Sequence, residues 1–98
     1  MELGGNITLV GFKEREFAEL IVVKKIVGQY ARRMSDSLTD FEHLTVTVKE
    51  IHGTPHPKME LHAKVLVKAK PFSASVTDRN LFVAMDSSLK KVMAQLEK

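Results

Sequence analysis

The sequence predicts a single α+β domain with the element order β-α-β-β-β-α, folded as a two-layer sandwich with two helices on one face of a four-stranded mixed sheet. Two segments carry apolar residues at steps of three and four, the spacing of amphipathic helices. Four other segments alternate apolar with polar residues, which indicates strands that bury one face. A chain of 98 residues has the length of one domain around one core, so we expect residues 1–98 to form a single domain.

The first part of the chain predicts a strand followed by a long helix. Residues 6–12 are rich in β-formers and place Ile7 and Leu9 on one face. Over residues 14–34 the apolar spacing becomes helical. The residues on this predicted apolar arc are Phe17, Leu20, Ile21, Val23, Ile26, Val27, Tyr30, Ala31 and Met34. Residues 35–40 have the composition of a turn and are expected to end the helix.

Three more strands are predicted in the second part. Residues 43–51 and 58–70 alternate, the latter more regularly than any other segment. They are separated by the loop 52–57, whose two prolines and one glycine cannot sustain a strand ladder. Pro71 is expected to break the longer strand, and residues 72–77 give a short fourth strand. The crossover through the helix makes strands one and two parallel, and the short connections make the others antiparallel.

An amphipathic helix is predicted from Leu81 to Lys98. Asp78 or Asn80 can cap its first N–H groups. Its predicted apolar stripe consists of Leu81, Phe82, Met85, Leu89, Val92, Met93 and Leu96. Because each strand hides one face and each helix offers one stripe, both helices are expected on the same side of the sheet. The opposite sheet face, with its threonines, serines, lysines and two histidines, is left to water.

Composition and the length of apolar runs exclude several classes of protein. With 44% apolar and 28% charged residues, the chain is typical of a soluble globular domain. It has no cysteine, so disulfide bonds and thiol redox chemistry are excluded and a reducing cytoplasm is permitted. The longest apolar run, residues 81–85, is far too short to span a membrane, and the N-terminus lacks the pattern of a signal peptide. We therefore expect no membrane partner.

No set of residues argues for catalysis or for a bound cofactor. His52 and His56 lie four apart in a loop, without cysteines or a pair of acids nearby, so a metal site is not expected. Asp86, Ser87 and Ser88 fall inside the closing helix, with no base at hand to activate a hydroxyl. No glycine-rich loop is present to cradle a phosphate. The sequence predicts neither an enzyme nor a cofactor, metal or small-molecule substrate.

Basic residues are concentrated in the second part of the chain and on the two helices. Residues 1–57 carry seven Lys and Arg against eight Asp and Glu, whereas residues 58–98 carry eight against four. With both helices on one side of the sheet, their outward faces can merge into one basic surface. The candidate RNA-binding residues on it are Lys25, Arg32 and Arg33 from the first helix and Lys90, Lys91 and Lys98 from the second. Six phosphate contacts would give binding that weakens by about 10³-fold between low and moderate salt.

The same charges have an alternative interpretation. Charged residues on a helix surface often serve only solvation, and lysines of an open sheet face keep that face soluble. The lysines predicted on this face are Lys58, Lys64, Lys68 and Lys70. The alternative is therefore a protein-interaction or structural α+β module without RNA binding. In that case the open sheet edge or the lysine face would contact a protein partner.

The closing helix, with the sequence NLFVAMDSSLKKVMAQLEK, resembles that of the ribosome hibernation-promoting factor family, also called the ribosome-associated inhibitor A family. The family pattern runs approximately D-[ML]-Y-A-A-I-D, four residues, K-L, two residues, Q-L, one residue and K. The residues that match it identically or conservatively are Leu81, Phe82, Ala84, Met85, Asp86, Lys91, Val92, Gln95, Leu96 and Lys98. The likeness continues more weakly over nearly the whole chain, including Lys25-Ile26 where the family has K-L.

The resemblance implies a non-enzymatic, cytoplasmic factor that binds the small ribosomal subunit in the channel of messenger and transfer RNA and inhibits translation under stress. It implies rRNA contacts through basic residues of both helices. Lys25, Lys91 and Lys98 carry over from the family pattern, whereas the other three candidates depend on the charge argument alone. The chain has Ala94 and Glu97 where the family tends to have basic residues. It also lacks the C-terminal domain with which long members pair ribosomes, so we do not expect it to pair them by itself.

Overall fold

The structure, a computed structural model that describes residues 1–53 and 55–97, is organised around one five-stranded sheet. The elements in chain order are β1 (Glu2–Leu3), β2 (Ile7–Val10), α1 (Phe17–Ser37), β3 (Phe41–Ile51), β4 (Lys58–Val67), β5 (Lys70–Asp78) and α2 (Leu81–Leu96). The strands lie in the order β1-β2-β3-β4-β5. The β2–β3 pair is parallel and the other pairs are antiparallel. The predicted mixed α+β architecture is confirmed, with one strand more than expected.

The additional strand is β1, at the edge of the sheet. It pairs with β2, so that Glu2 lies opposite Thr8 and Leu3 lies opposite Ile7. A pair of glycines, both with positive φ, makes the turn between the two strands. A strand of two residues is too short to show an alternating pattern, so periodicity could not reveal it. The predicted count of four strands was wrong for this reason.

Both helices pack on the same face of the sheet, as predicted. α1 is the crossover between β2 and β3, and α2 lies against β4 and β5. Side chains from both layers form one core. It includes Leu9, Leu44, Val46, Leu61, Ala63 and Val65 from the sheet and Val23, Val27, Met34, Met85, Leu89 and Val92 from the helices. The two helices therefore lie side by side and their outward surfaces are neighbours.

The alternation along the strands gives the sheet one buried and one open face. In β3, Leu44, Val46 and Val48 are buried, whereas the residues between them are only partly buried. On the open face Thr45 lies opposite Lys64 of β4. The predicted faces of the strands are confirmed, and the open face is polar.

The β4–β5 hairpin turns earlier than predicted. β4 ends at Val67, and Lys68 and Ala69 form the turn with φ of 52° and 62°. Two consecutive residues with positive φ are typical of a type I′ turn, for which Asn-Gly is the usual sequence, so Lys-Ala gave no signal. The Ala69 N–H donates to the Glu42 carboxylate. Pro71 does not break a strand but lies within β5, an edge strand where a missing N–H is tolerated.

α1 begins and ends three residues later than predicted. The segment ahead of Phe17 is a turn in which the Arg15 N–H donates to the Phe12 carbonyl oxygen (3.1 Å). The Arg15 side chain forms an ion pair with Glu50 of β3 (3.5 Å), which ties this turn to the sheet. At its other end the helix continues through Ser37 and so includes the first three of residues 35–40, where a turn was predicted, and the turn itself follows the helix.

Two apolar residues in the first two turns of α1 do not face the core, contrary to the predicted apolar arc. Phe17 and Ile21 are 79% and 54% exposed. The buried line of the helix runs through Val23, Val27 and Met34. At about 100° per residue, Phe17 and Ile21 lie roughly 80° and 120° away from Val27, so they fall beside this line. The predicted arc was too wide, because the core takes up only part of it.

α2 begins at a well-formed cap. The Asn80 side-chain oxygen accepts the N–H groups of Phe82 (2.9 Å) and Val83 (3.1 Å). Asp78, the other predicted candidate, accepts the N–H of Asn80 itself (2.9 Å) and so holds the cap in place. The predicted apolar stripe faces the core along the whole helix. The predicted last residue, Lys98, lies outside the described residues.

Two glycines are expected to respond to alanine in opposite directions. At Gly28, inside α1, an added methyl group meets nothing within 4 Å, so Gly28→Ala should stabilise the fold by about 0.5–1 kcal/mol. At Gly11, with φ +87°, the methyl group would collide with the Val48 carbonyl oxygen, so Gly11→Ala should destabilise the fold by about 2 kcal/mol or more. Urea unfolding measures both free energies. Changes of the same sign would contradict the backbone geometry.

Candidate nucleic-acid interface

A hydrogen bond between two side chains joins the outward surfaces of the helices. Tyr30 of α1 is 6% exposed, and its hydroxyl donates to Asp86 Oδ1 of α2 (2.7 Å). The other carboxylate oxygen of Asp86 accepts from Lys90 Nζ (3.0 Å). On α1, the Arg33 guanidinium carbon lies 5.4 Å from the centre of the Tyr30 ring, within cation–π range. Arg33 of α1 and Lys90 of α2 therefore both lie next to the hydrogen bond between the helices.

The two partners of this hydrogen bond shift each other's ionisation. Burial, and then the hydrogen bond to Asp86, raise the pKa of Tyr30 to about 12. The hydrogen bond from Tyr30, followed by the one from Lys90, lowers the pKa of Asp86 below its ordinary value. At neutral pH the tyrosine is therefore a proton donor and the aspartate a charged acceptor, which is the stronger kind of hydrogen bond.

The candidate residues of α1 are all exposed, but they point in two directions. At about 100° per residue, Lys25 and Arg32 lie roughly opposite the buried Val27, on the outermost side of the helix. Arg33 lies on the flank that faces α2, as its contact with Tyr30 shows. α1 therefore presents one basic edge outward and one toward the other helix.

The candidate residues of α2 are separated by the turn of the helix. Lys90 faces α1 through its ion pair with Asp86. Lys91 lies about 100° further round and shares its flank with Gln95, four residues on. The Gln95 side chain donates to the Ser73 carbonyl oxygen of β5 (2.7 Å), so this flank is the one away from α1. The structure brings Arg33 and Lys90 toward one contact, and Lys91 lies apart from it.

Carboxylates interrupt the basic surface. Asp86 lies between the two helices and offsets the charge of Lys90, and its side chain is 43% exposed. Asp36 is exposed on α1, four residues after Arg32, and Glu97 is exposed where α2 ends. Within the described residues, Lys25, Arg32 and Lys91 have no ion pair. Lys98 lies outside the part of the chain that the structure describes.

Sequence reasoning missed the role of Tyr30 and Asp86. It placed the tyrosine on the apolar arc and the aspartate on an ordinary helix surface. The available signal was the chemistry of the tyrosine itself, since a buried hydroxyl needs a hydrogen-bond partner. Periodicity places a residue on a helix face, but it does not say which residue of another helix lies within reach.

The described residues show no constellation for catalysis or metal binding. The Ser88 hydroxyl is buried and donates to the Met85 carbonyl oxygen (2.8 Å), a bond within the helix. In the described part of the chain, no group of three or more His, Asp or Glu is arranged to hold a metal ion. No helix in this part is long and apolar enough to cross a membrane.

The open sheet face carries charges of both signs. The His43 ring lies 2.8 Å from the Thr8 hydroxyl, and the His62 ring lies 2.7 Å from the Glu60 carboxylate. Lys64 is exposed on this face and forms no ion pair with the described residues. This face therefore offers a basic side chain for comparison with those of the helix layer.

Comparisons with known proteins find the fold in solved structures. The chain is similar to a ribosomal subunit interface protein from Coxiella burnetii, with a TM-score of 0.63, 14% identity and coverage of 94% of this chain and 91% of that one. It is similar also to the N-terminal domain of Protein Y from Thermus thermophilus, with a TM-score of 0.62, 18% identity and coverage of 98% and 96%. No protein-family model and no curated protein matches the chain. The likeness to these two structures confirms the predicted resemblance at the level of the fold.

Replacing Tyr30 by phenylalanine tests the contact between the helices. Tyr30→Phe should lower the free energy of unfolding by about 1–2 kcal/mol near neutral pH, because a hydrogen bond to a charged group is lost. The folded pKa of about 12 lies above the ordinary 10.0, so this contribution is complete below pH 10 and is lost as the pH rises toward 12. The difference between the two proteins in urea unfolding should therefore shrink over that range. A difference that stays constant up to pH 12 would contradict the assignment.

Proposed function

We propose that this chain, which shares its fold with a ribosomal subunit interface protein and with Protein Y, is a non-enzymatic factor that binds small-subunit rRNA and inhibits translation under stress. The single observation that carries the proposal is that this likeness extends over more than nine tenths of both chains in each comparison. In this proposal the protein acts in the cytoplasm. The resemblance of the closing helix to the same family supports the proposal from the sequence alone.

The helix layer supplies the RNA contacts in this proposal. Lys25, Arg32 and Lys91 are exposed and without ion pairs among the described residues, so their charges are available to phosphates. Arg33 and Lys90 contribute from the contact between the helices. Lys98 belongs to the proposed set through the resemblance. Phosphate contacts of this kind position a protein on RNA and make its affinity depend on salt.

The proposed recognition depends on RNA backbone and shape. Most of the aromatic rings are unavailable for stacking, because Phe12 and Tyr30 are buried and Phe41, Phe72 and Phe82 pack against the core. The exposed basic side chains are spread along α1 and over both flanks of α2, which suits contacts to separate phosphates. Inhibition then needs no chemistry, since a folded domain of 44 × 26 × 18 Å bound in an RNA-lined channel excludes other RNA by its volume.

The alternative of a protein-interaction module is supported by one specific observation. Phe17, Ile21 and Val22 are exposed together on the outer side of α1, and solvent-exposed apolar groups favour protein contacts. These apolar side chains occupy the first turns of the helix, and among the candidate RNA-binding residues of α1 only Lys25 lies next to them. We therefore retain RNA binding as the function and treat the apolar side chains separately.

Removing two unpaired basic residues from α1 tests the RNA contact. Lys25→Ala combined with Arg32→Ala should reduce the slope of log affinity against log salt by about one to two, because each lost phosphate contact removes roughly 0.7–0.9. Fluorescence anisotropy with fragments of small-subunit rRNA measures the slope, and sedimentation with purified small subunits at low salt measures retention. Lys64→Ala, an unpaired lysine on the open sheet face, is the matched control. Equal slopes for the two variants would remove α1 from the interface.

Asp86→Asn is expected to strengthen RNA binding and to lower the stability of the fold. The substitution removes the carboxylate that offsets Lys90, so affinity for rRNA fragments should rise by about two- to fivefold at low salt. The same change weakens the acceptor of the Tyr30 hydrogen bond, so the free energy of unfolding should fall. Anisotropy and urea unfolding measure the two effects, with Glu60→Gln on the open sheet face as the control. Unchanged or weaker RNA binding would show that Lys90 does not contact RNA.

A further inference from the structure

An exposed apolar patch lies on the outer side of α1, at its beginning. It consists of Phe17, Ala18, Ile21 and Val22, and its three large side chains are 79%, 54% and 40% exposed. Neighbouring positions in this set are one, three or four residues apart, so they form a continuous strip over two helical turns. The strip points away from the sheet and has no partner in the described part of the chain. We call it the α1 patch.

Charged residues of opposite sign stand at the two ends of the α1 patch. Glu14 precedes it in the turn ahead of the helix, and Lys25 follows it on the next turn. Both side chains are exposed, and neither forms an ion pair with the described residues. Glu16 and Lys24 are exposed beside them, so acids stand at the N-terminal end of the α1 patch and bases at its C-terminal end.

This arrangement of charged and apolar residues is self-complementary when two copies of α1 run antiparallel. If a second α1 lies antiparallel across the first, Phe17 meets the partner's Val22 and Ala18 meets the partner's Ile21. In the same arrangement Glu14 meets the partner's Lys25 at one end, and the converse pair forms at the other end. A two-fold axis relates the two copies, so one surface serves both sides of the contact.

We propose that the α1 patch is the interface of an antiparallel homodimer of this chain. The contact buries four apolar side chains from each copy and closes each end with an ion pair. An interface of two helical turns is smaller than that of a stable complex, so the dimer is weak and populated at high protein concentration. The proposal goes beyond RNA binding and does not depend on it. Because Lys25 belongs to both surfaces, one copy cannot use it for both at once.

A mixture of two charge variants tests the pairing directly. In a homodimer of Glu14→Lys, both ends of the interface place positive charges together, and in a homodimer of Lys25→Glu both ends place negative charges together. In a mixed dimer of the two variants, both ends again pair opposite charges. Sedimentation equilibrium should show a monomer–dimer equilibrium for the original chain, loss of dimer for each variant alone, and its return in an equimolar mixture. Circular dichroism of each variant verifies the fold.

A substitution of the largest apolar side chain gives an independent measurement. Phe17→Ser should weaken the dimer by about tenfold or more, since the change removes the largest apolar contact from both copies. Val83→Ser is the matched control, because Val83 is 49% exposed on α2 and lies outside the α1 patch. A chain that stays monomeric at every concentration overturns the proposal. It is equally overturned if the mixture of charge variants dimerises no better than each variant alone, or if Phe17→Ser weakens only RNA binding, which would make the patch a base-stacking surface.

Discussion

The arrangement of this molecule depends on the sheet having only one apolar face. Leu44, Leu61 and Val65 line that face, whereas threonines, serines and charged residues occupy the other. Neither helix can bury its stripe anywhere else, so α1 and α2 must share one layer. The parallel β2–β3 pair requires a crossover, which places α1 over the β2–β3 half of this face. The half formed by β4 and β5 is left to α2. The neighbouring outward surfaces of the helices are therefore a consequence of core formation.

The contact between the helices shows how stability and charge compete on this surface. Tyr30 carries a buried hydroxyl that needs an acceptor, and Asp86 supplies one with a full negative charge. The same carboxylate holds Lys90 and places a negative charge within a surface that is otherwise basic. A neutral acceptor would leave the surface more positive but would bond the tyrosine less strongly. The structure has the charged acceptor, which joins the helices and directs Lys90 toward α1.

The two ends of α1 have different environments. From Val23 onward the helix alternates between core and basic surface, with one buried line and one outward basic edge. Ahead of that, Phe17 and Ile21 are exposed although both are apolar. The turn at Arg15, bound to Glu50, precedes the helix. Phe17 and Ile21 fall beside the buried line that runs through Val23 and Val27. Apolar composition alone therefore did not decide burial in these first two turns.

The sequence by itself determined the number of helices, the buried face of each long strand, the α+β class and the cap of α2 to within two candidates. These follow from local periodicity and from short-range chemistry, which neighbours in sequence are enough to express. Only the tertiary structure decided the edge strand β1, the turn at Lys68 and Ala69, and the pairing of Tyr30 with Asp86. It also decided that Lys91 lies on the flank away from Lys90. These features depend on which residues from distant parts of the chain come within hydrogen-bonding distance, and no periodicity along one segment carries that information.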